Sequence, residues 1–208
     1  SNVSVDVLTL RYNDELRRVE LAVMPRATEP YIGQLALPGV TLWEGERLAD
    51  AARRAVGDKL GTGVCGLGQL TVFDEPARDP RGFTLSVAMW AVPDTSNAAD
   101  EVAWPPVEDV PDLAFDHNQI VRFCRPLLVD RLWHDLAFTR ALTGPEFPVS
   151  AAVAITRSLT GAHPDRGNLN RRLASVDGLG VGQKRVIRGR GRPGTLWQWQ
   201  DEPTETRT

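Results

Sequence analysis

At 208 residues the chain has room for one large domain or two small ones, and 42 % apolar with 25 % charged residues is the balance of a globular protein. No apolar run reaches the roughly 18 residues that a membrane-spanning helix needs. The opening SNVSVDVLTLRYND lacks the basic segment and apolar core of a secretion signal, so the expected location is the cytoplasm, with no membrane partner. The net charge of −3 is unevenly spread. Residues 146–200 hold nine Lys or Arg against three Asp or Glu, and the tail 201–208 holds one against three, which leaves 14 cations against 21 carboxylates before residue 146. An acidic front followed by a basic segment marks the second part as the one to meet a polyanion.

In chain order, VSVDVLTLRY, VELAVMPR and GFTLSVAMWAVP alternate or run apolar as strands do. Between the second and third, Leu48, Ala51, Ala52, Ala55, Val56 and Leu60 recur at helical spacing and form one face of a helix that ends at Gly61. DTSNAADEVAWPPVEDVPD is polar and proline-rich and reads as loop. NQIVRFCRPLLVDRLWHDLAFTRALT reads as mostly helical, with Pro126 a start or kink. The two cysteines, Cys65 and Cys124, form no CxxC pattern and are expected as free, buried thiols.

From Phe147 the pattern tightens. VSAAVAITRSLTG is a short helix with Ser150 as the expected N-cap and Gly161 as terminator, and DRGNLNRRLASVDGL opens a second helix at Asp165 with Leu169 and Leu173 on its apolar face. GVGQKRVIRGRGRPGTLWQWQ alternates around a Gly/Pro turn as a hairpin does. Helix, turn, helix and basic hairpin together resemble a winged helix-turn-helix. Its candidate DNA-binding residues are Arg166, Asn168, Asn170, Arg171 and Arg172 on the second helix, with Lys184, Arg185, Arg188, Arg190 and Arg192 on the hairpin. Arg and Asn match guanine and adenine at major-groove edges, and further arginines hold phosphates.

LALPGVTLWEGERLADAARRAVGDKLGT resembles the signature of the Nudix family of nucleoside diphosphate hydrolases, with Glu46 and Arg54 on two of its fixed positions and Val56 and Gly61 retained. Val40, Ala55, Asp58, Lys59 and Thr62 depart from it. RATEPYIGQLALPG and ARDPRGFTLSVAMWAVP also resemble the members that handle ADP-ribose. In those hydrolases the face carrying residues 55, 58 and 59 presents carboxylates to Mg2+; here the three side chains sum to no charge. A lysine about 5 Å from the metal would oppose it by roughly 6 kcal/mol at an effective dielectric of about 20. The resemblance therefore implies no metal site, no catalytic residues and no hydrolase activity.

The degenerate signature, then LAFDH, a linking helix and RGRGRPGTLWQW resemble the Nudix-related transcriptional regulators of NAD metabolism over nearly the whole chain. That family implies an α/β (α+β) Nudix fold, a mixed sheet with flanking helices, followed by a winged helix-turn-helix domain. The expected division is 1–140 for ligand sensing with the linking helix, 141–200 for DNA, and 201–208 as an acidic tail without fixed structure. It also implies a homodimeric repressor of NAD biosynthesis genes, bound to double-stranded operator DNA and released by ADP-ribose or a related nucleotide, with no cofactor required. Arg26, Glu46, Arg54, Lys59, Arg78 and Arg81 are the candidate ligand-binding residues, since a diphosphate without a metal needs cations. His117 is expected as a hydrogen-bonding residue at the domain junction. A divergent hydrolase using Glu46, Asp58 and another carboxylate, and a basic RNA-binding module, stay open as alternatives.

Overall fold

The computed structural model describes residues 2–94, 99–182 and 195–200. Its main sheet is built on β1 (Asn2–Asn13), a twelve-residue strand with partners along both edges. Along one edge β1 meets β5 (Gly39–Thr41) near its start and β2 (Arg18–Leu21) near its end, both antiparallel. Along the other edge it runs parallel to β7 (Thr84–Pro93), which pairs antiparallel with β6 (Val64–Phe73). A short ladder of β3 (Met24–Pro25) and β4 (Leu35–Ala36) sits between β2 and β5 in the chain. The sheet is mixed, as expected.

Alternation along β1 and β7 assigns the two faces. Val5, Val7, Val87, Met89 and Ala91 pack on α1 (Leu48–Leu60) through Ala51, Ala52, Ala55, Val56 and Leu60, the face read from the sequence. Leu8, Leu10, Ala88, Trp90 and Val92 belong to the second core, with α2 (His117–Arg131), α3 (Leu136–Thr143) and α4 (Val149–Thr160). The buried face of α1 is mostly alanine, and Lys59 in its last turn lines the cavity described below.

The long helical segment divides at 132–135. Leu132 and Trp133 are buried there, Trp133 has φ +66, and the Asp135 carboxylate accepts the Phe138 N–H at 3.2 Å to start α3 afresh. Pro126 lies inside α2 rather than at an end. The expected division between 140 and 141 falls within α3, whose Phe138 meets Trp90 of β7 edge-on at 5.1 Å and shares one core with Phe147 and Trp199. That core is continuous with the sheet's second face, so the C-terminal module is seated on the N-terminal one.

The module follows the expected order: β8 (Glu146–Pro148), α4, α5 (Arg166–Ala174), β9 (Leu179–Val181) and β10 (Leu196–Trp199), with β10 central in a three-stranded antiparallel sheet. Ser150 is not the cap of α4. β8 runs directly into the helix, Pro148 occupies the cap position, and the Val149 N–H donates to the Thr195 carbonyl instead. Gly161, at φ +77, closes α4, and Asp165 caps α5 by accepting the Asn168 N–H at 2.7 Å. Both cysteines are free; Cys124 is buried, with burial pushing its thiol up to about 12, whereas Cys65 is exposed on β6, contrary to expectation. Among the described residues no helix is long and apolar enough to cross a membrane.

Candidate ligand cavity and DNA-facing helix

A cavity of about 300 Å³ opens at the start of β1, bordered by β5, the end of α1, the 78–84 segment and the residues leading into α2. That volume is at the lower end for small-molecule sites. Four of the six candidate ligand residues line it: Arg26, Lys59, Arg78 and Arg81. They do not have equal freedom. Lys59 is exposed, whereas the Arg78 side chain is only 4 % exposed and bridges two carboxylates, Asp116 at 2.8 Å and Asp6 at 3.3 Å. Arg78 therefore fixes the floor rather than offering a free cation.

Arg81 is clamped by Asp79, which it contacts at 2.7 and 3.0 Å; these bonds hold the Asp79 carboxyl below its ordinary range and raise the Arg81 guanidinium. Arg26 donates to the Pro30 and Thr28 carbonyls, and burial together with the neighbouring Arg81 lowers it. Both guanidiniums lie over the Phe115 ring, at 4.5 Å for Arg26 and 5.6 Å for Arg81. Phe115 is held at φ +56 and meets Tyr31 edge-on at 4.9 Å. The ring thus holds two cations at the cavity lining, where an anion would meet them. The sequence does not reveal it, because the positive φ that turns Phe115 toward the cavity is set by the junction with α2.

Glu46 and Arg54 lie outside this lining and satisfy each other. Arg54 makes two 2.8 Å bonds to Glu46, donates to the Thr41 carbonyl and stacks on Trp43 at 3.7 Å. The Arg54 hydrogen bonds hold the Glu46 carboxyl down to about 2. The pair ties the loop before α1 to the helix. On α1 itself, Ala55 is buried in the core, Asp58 is exposed outside the lining, and Lys59 faces the cavity. Among the described residues no three His, Cys, Asp or Glu side chains gather as a metal site.

Beneath the cavity, His117 is 4 % exposed at the first turn of α2. Its Nδ1 accepts the Leu37 N–H at 3.0 Å, and its Nε2 lies 3.6 Å from Asp6, which also accepts the Ser86 hydroxyl at 2.5 Å. Burial lowers the His117 pKa despite Asp6 and Asp116 nearby. A base that is harder to protonate folded than unfolded withdraws stability as pH falls through its unfolded value, about 6.5. The free energy of unfolding in urea is therefore expected to drop between about pH 7 and 5, by at most about 1.4 kcal/mol per pH unit for this group. His117→Gln, whose amide oxygen can still accept from Leu37, is expected to flatten that slope; an identical slope in the variant would assign the pH dependence elsewhere.

On α5, Arg166, Asn168, Arg171 and Arg172 are exposed, while Leu169 and Leu173 are buried. Arg171 donates to the Asn168 amide oxygen, and Arg172 lies 2.7 Å from His134 Nε2. Asn170 is half-buried with its Oδ1 closed off from solvent, so it is turned toward the protein more than its neighbours are. Lys184, Arg185, Arg188, Arg190 and Arg192 lie outside the described residues.

A larger groove of about 560 Å³ runs between residues 107–110, α2 and the end of α4. Its Arg125 is already committed to the Leu159 and Ser158 carbonyls, both at 2.8 Å, which fasten α2 to the end of α4. A second tie joins the Val19 N–H of β2 to the Ser158 hydroxyl at 3.0 Å. Thus the helix that begins at the cavity floor also grips the first helix of the helix-turn-helix.

No family model matches the chain. A curated relative, an ADP-ribose pyrophosphatase of Methanocaldococcus jannaschii, is 28 % identical over 108 residues, half of this chain and 64 % of that protein's length. The crystal structure of Shewanella oneidensis NrtR is 25 % identical with a TM-score of 0.76, covering 95 % of this chain and 94 % of that one. The same protein complexed with a 27mer DNA gives a TM-score of 0.77 over 95 % of this chain and 93 % of that one. Its isolated Nudix domain complexed with ADP ribose is 26 % identical, with a TM-score of 0.52 over 61 % of this chain and 87 % of that one. A mixed sheet flanked by helices, with a helix-turn-helix module seated upon it, gives the chain the architecture of NrtR, and the likeness runs across both parts.

Proposed function

We propose that the chain is a Nudix-related transcriptional regulator that works in the cytoplasm as a homodimeric repressor of NAD biosynthesis genes, holding operator DNA with α5 and the β9–β10 hairpin and releasing it when ADP-ribose or a related nucleotide fills the 300 Å³ cavity. The observation that carries the reading is Lys59. It puts a cation into the cavity from the helix where the hydrolases this fold resembles place carboxylates, and Arg26 and Arg81 add charge beside the Phe115 ring. A dianionic nucleotide is thus met directly by side chains. The likeness to NrtR, solved both with DNA and with ADP ribose, supports the two partners.

A divalent metal does not fit the donors α1 offers, with Ala55 in the core, Asp58 outside the cavity and Lys59 inside it. The likeness to an archaeal ADP-ribose pyrophosphatase favours a second reading, a divergent hydrolase. Incubation of the protein with ADP-ribose and Mg2+ or Mn2+ separates the two. The sensor reading expects the nucleotide to be recovered intact, and release of AMP would establish the hydrolase.

A further inference from the structure

We infer that the DNA contact extends onto the N-terminal domain, through a cationic cleft in which Arg17 joins Arg157, His163 and Arg166 to hold a backbone phosphate. This rests on the reading of the chain as a duplex-binding regulator. Arg17 stands in the turn between β1 and β2, at φ +51, whereas the other three belong to α4, the α4–α5 turn and the first residue of α5. Together with Ser150 they line a cleft of about 260 Å³. The placement follows from helical spacing: Ser150, Val153, Ala154 and Arg157 fall at i, i+3, i+4 and i+7 on one face of α4, and that face turns toward the β1–β2 connection. The Val19 N–H to Ser158 bond holds strand and helix together one turn away.

Charge pairing separates these arginines from most others in the same domain. Arg11 and Arg18 both bind Glu20, Arg54 binds Glu46, Arg78 binds Asp6 and Asp116, and Arg81 binds Asp79. Among the described residues, Arg17, Arg157 and Arg166 have no carboxylate within 4.0 Å, and all three are exposed. Asp14 and Glu15 share the turn with Arg17 but do not line the cleft, and Asp165 is turned to the Asn168 N–H as the α5 cap. A cleft whose three arginines have no carboxylate partner among the described residues, beside the first residue of the proposed recognition helix, is suited to a phosphodiester. A base-reading role is not implied: Arg17 would position the protein on the duplex and couple the sheet of the ligand domain to DNA.

The test is fluorescence anisotropy of a duplex from the chain's own upstream region, titrated with the full chain and with Arg17→Asn, at several salt concentrations between about 50 and 200 mM. Asparagine tolerates the positive φ, so the turn is kept while the charge is removed. The expected result is an affinity lowered about tenfold and a salt slope lowered by about 1, with Arg17→Lys recovering part of both. Inorganic phosphate at matched ionic strength is expected to displace the duplex no better than chloride. Wild-type affinity and slope in Arg17→Asn would overturn the inference while leaving the regulator reading intact. Inorganic phosphate that binds the wild-type chain but not Arg17→Asn, while duplex affinity is the same in both, would make a free anion the occupant and overturn the DNA assignment. If the wild-type chain binds no duplex, the regulator reading falls and the inference falls with it.

Discussion

Arg78→Met is expected to lower the free energy of unfolding by about 3–5 kcal/mol, the largest loss of any single change at the cavity. The methionine is apolar and of similar reach, so little volume is lost; what disappears is the charge between two carboxylates. Asp6 comes from the middle of β1 and Asp116 from the residue before α2, and each is mostly removed from solvent, with side-chain exposures of 8 % and 12 %. Without Arg78 they face each other unpaired, and Asp6 keeps only Ser86 as a close hydrogen-bond donor. The damage should spread beyond the cavity, because α2 starts at this bridge and ends in the Arg125 contacts to α4. Urea denaturation measures it; a loss below about 1 kcal/mol would mean that the bridge forms without stabilising the fold, as exposed pairs do.

Lys59→Glu is expected to weaken ADP-ribose binding by about 10- to 100-fold and to leave the unfolding midpoint nearly unchanged. Two unit charges about 5 Å apart interact by roughly 3 kcal/mol at an effective dielectric of about 20, and reversal replaces attraction by repulsion. Lys59 is exposed, so solvent and salt reduce that figure, and about 1.4–2.8 kcal/mol remains as the expected change. The fold should not register the change, because Lys59 makes no ion pair among the described residues and the apolar face of α1 is untouched. Isothermal titration with ADP-ribose distinguishes this from the view of Lys59 as a solvated surface lysine, for which affinity would stay within about twofold of wild type.

These expectations differ in how far the sequence alone reaches. The α1 face, the strands β1 and β7 and the helix-turn-helix order were legible because local periodicity carries them. β6 was not, since Gly66 and Gly68 interrupt its pattern. Their absence of side chains has a distant cause: a Cβ at Gly68 would stand 2.6 Å from Trp90 Nε1, and one at Gly66 2.7 Å from the Ala141 Cβ. The break at Trp133 was hidden for a similar reason, as the turn is fixed by burial of that ring against Phe147, 5.8 Å away.

At the cavity, the sequence pointed to arginines but not to their partners. Arg78 and Asp6 are separated by 72 residues, and nothing local to either announces that one neutralises the other. Glu46 and Arg54 stood at family positions, yet in this chain they bond to each other, so their residue types alone did not place them in the cavity. Phe115 was invisible as a cavity residue because its orientation depends on a left-handed backbone conformation. Arg17 was invisible as a DNA contact because its cleft exists only once the β1–β2 turn meets α4.

The path from cavity to helix-turn-helix is short. Phe115, Asp116 and His117 are consecutive, the last opens α2, and α2 holds the end of α4 through Arg125. A nucleotide that moves Phe115 therefore acts on the element that carries the proposed DNA-binding helix. Such a ligand shifts the equilibrium only by its different affinities for the two states, and DNA must weaken nucleotide binding by the same factor. The most direct test is therefore reciprocal: ADP-ribose affinity with and without saturating operator duplex, and duplex affinity with and without saturating ADP-ribose. The account predicts equal factors, in the range of about 5- to 150-fold, each ligand weakening the other. Affinities that ignore the second ligand in both directions would contradict it, leaving DNA and nucleotide as unconnected ligands of one chain.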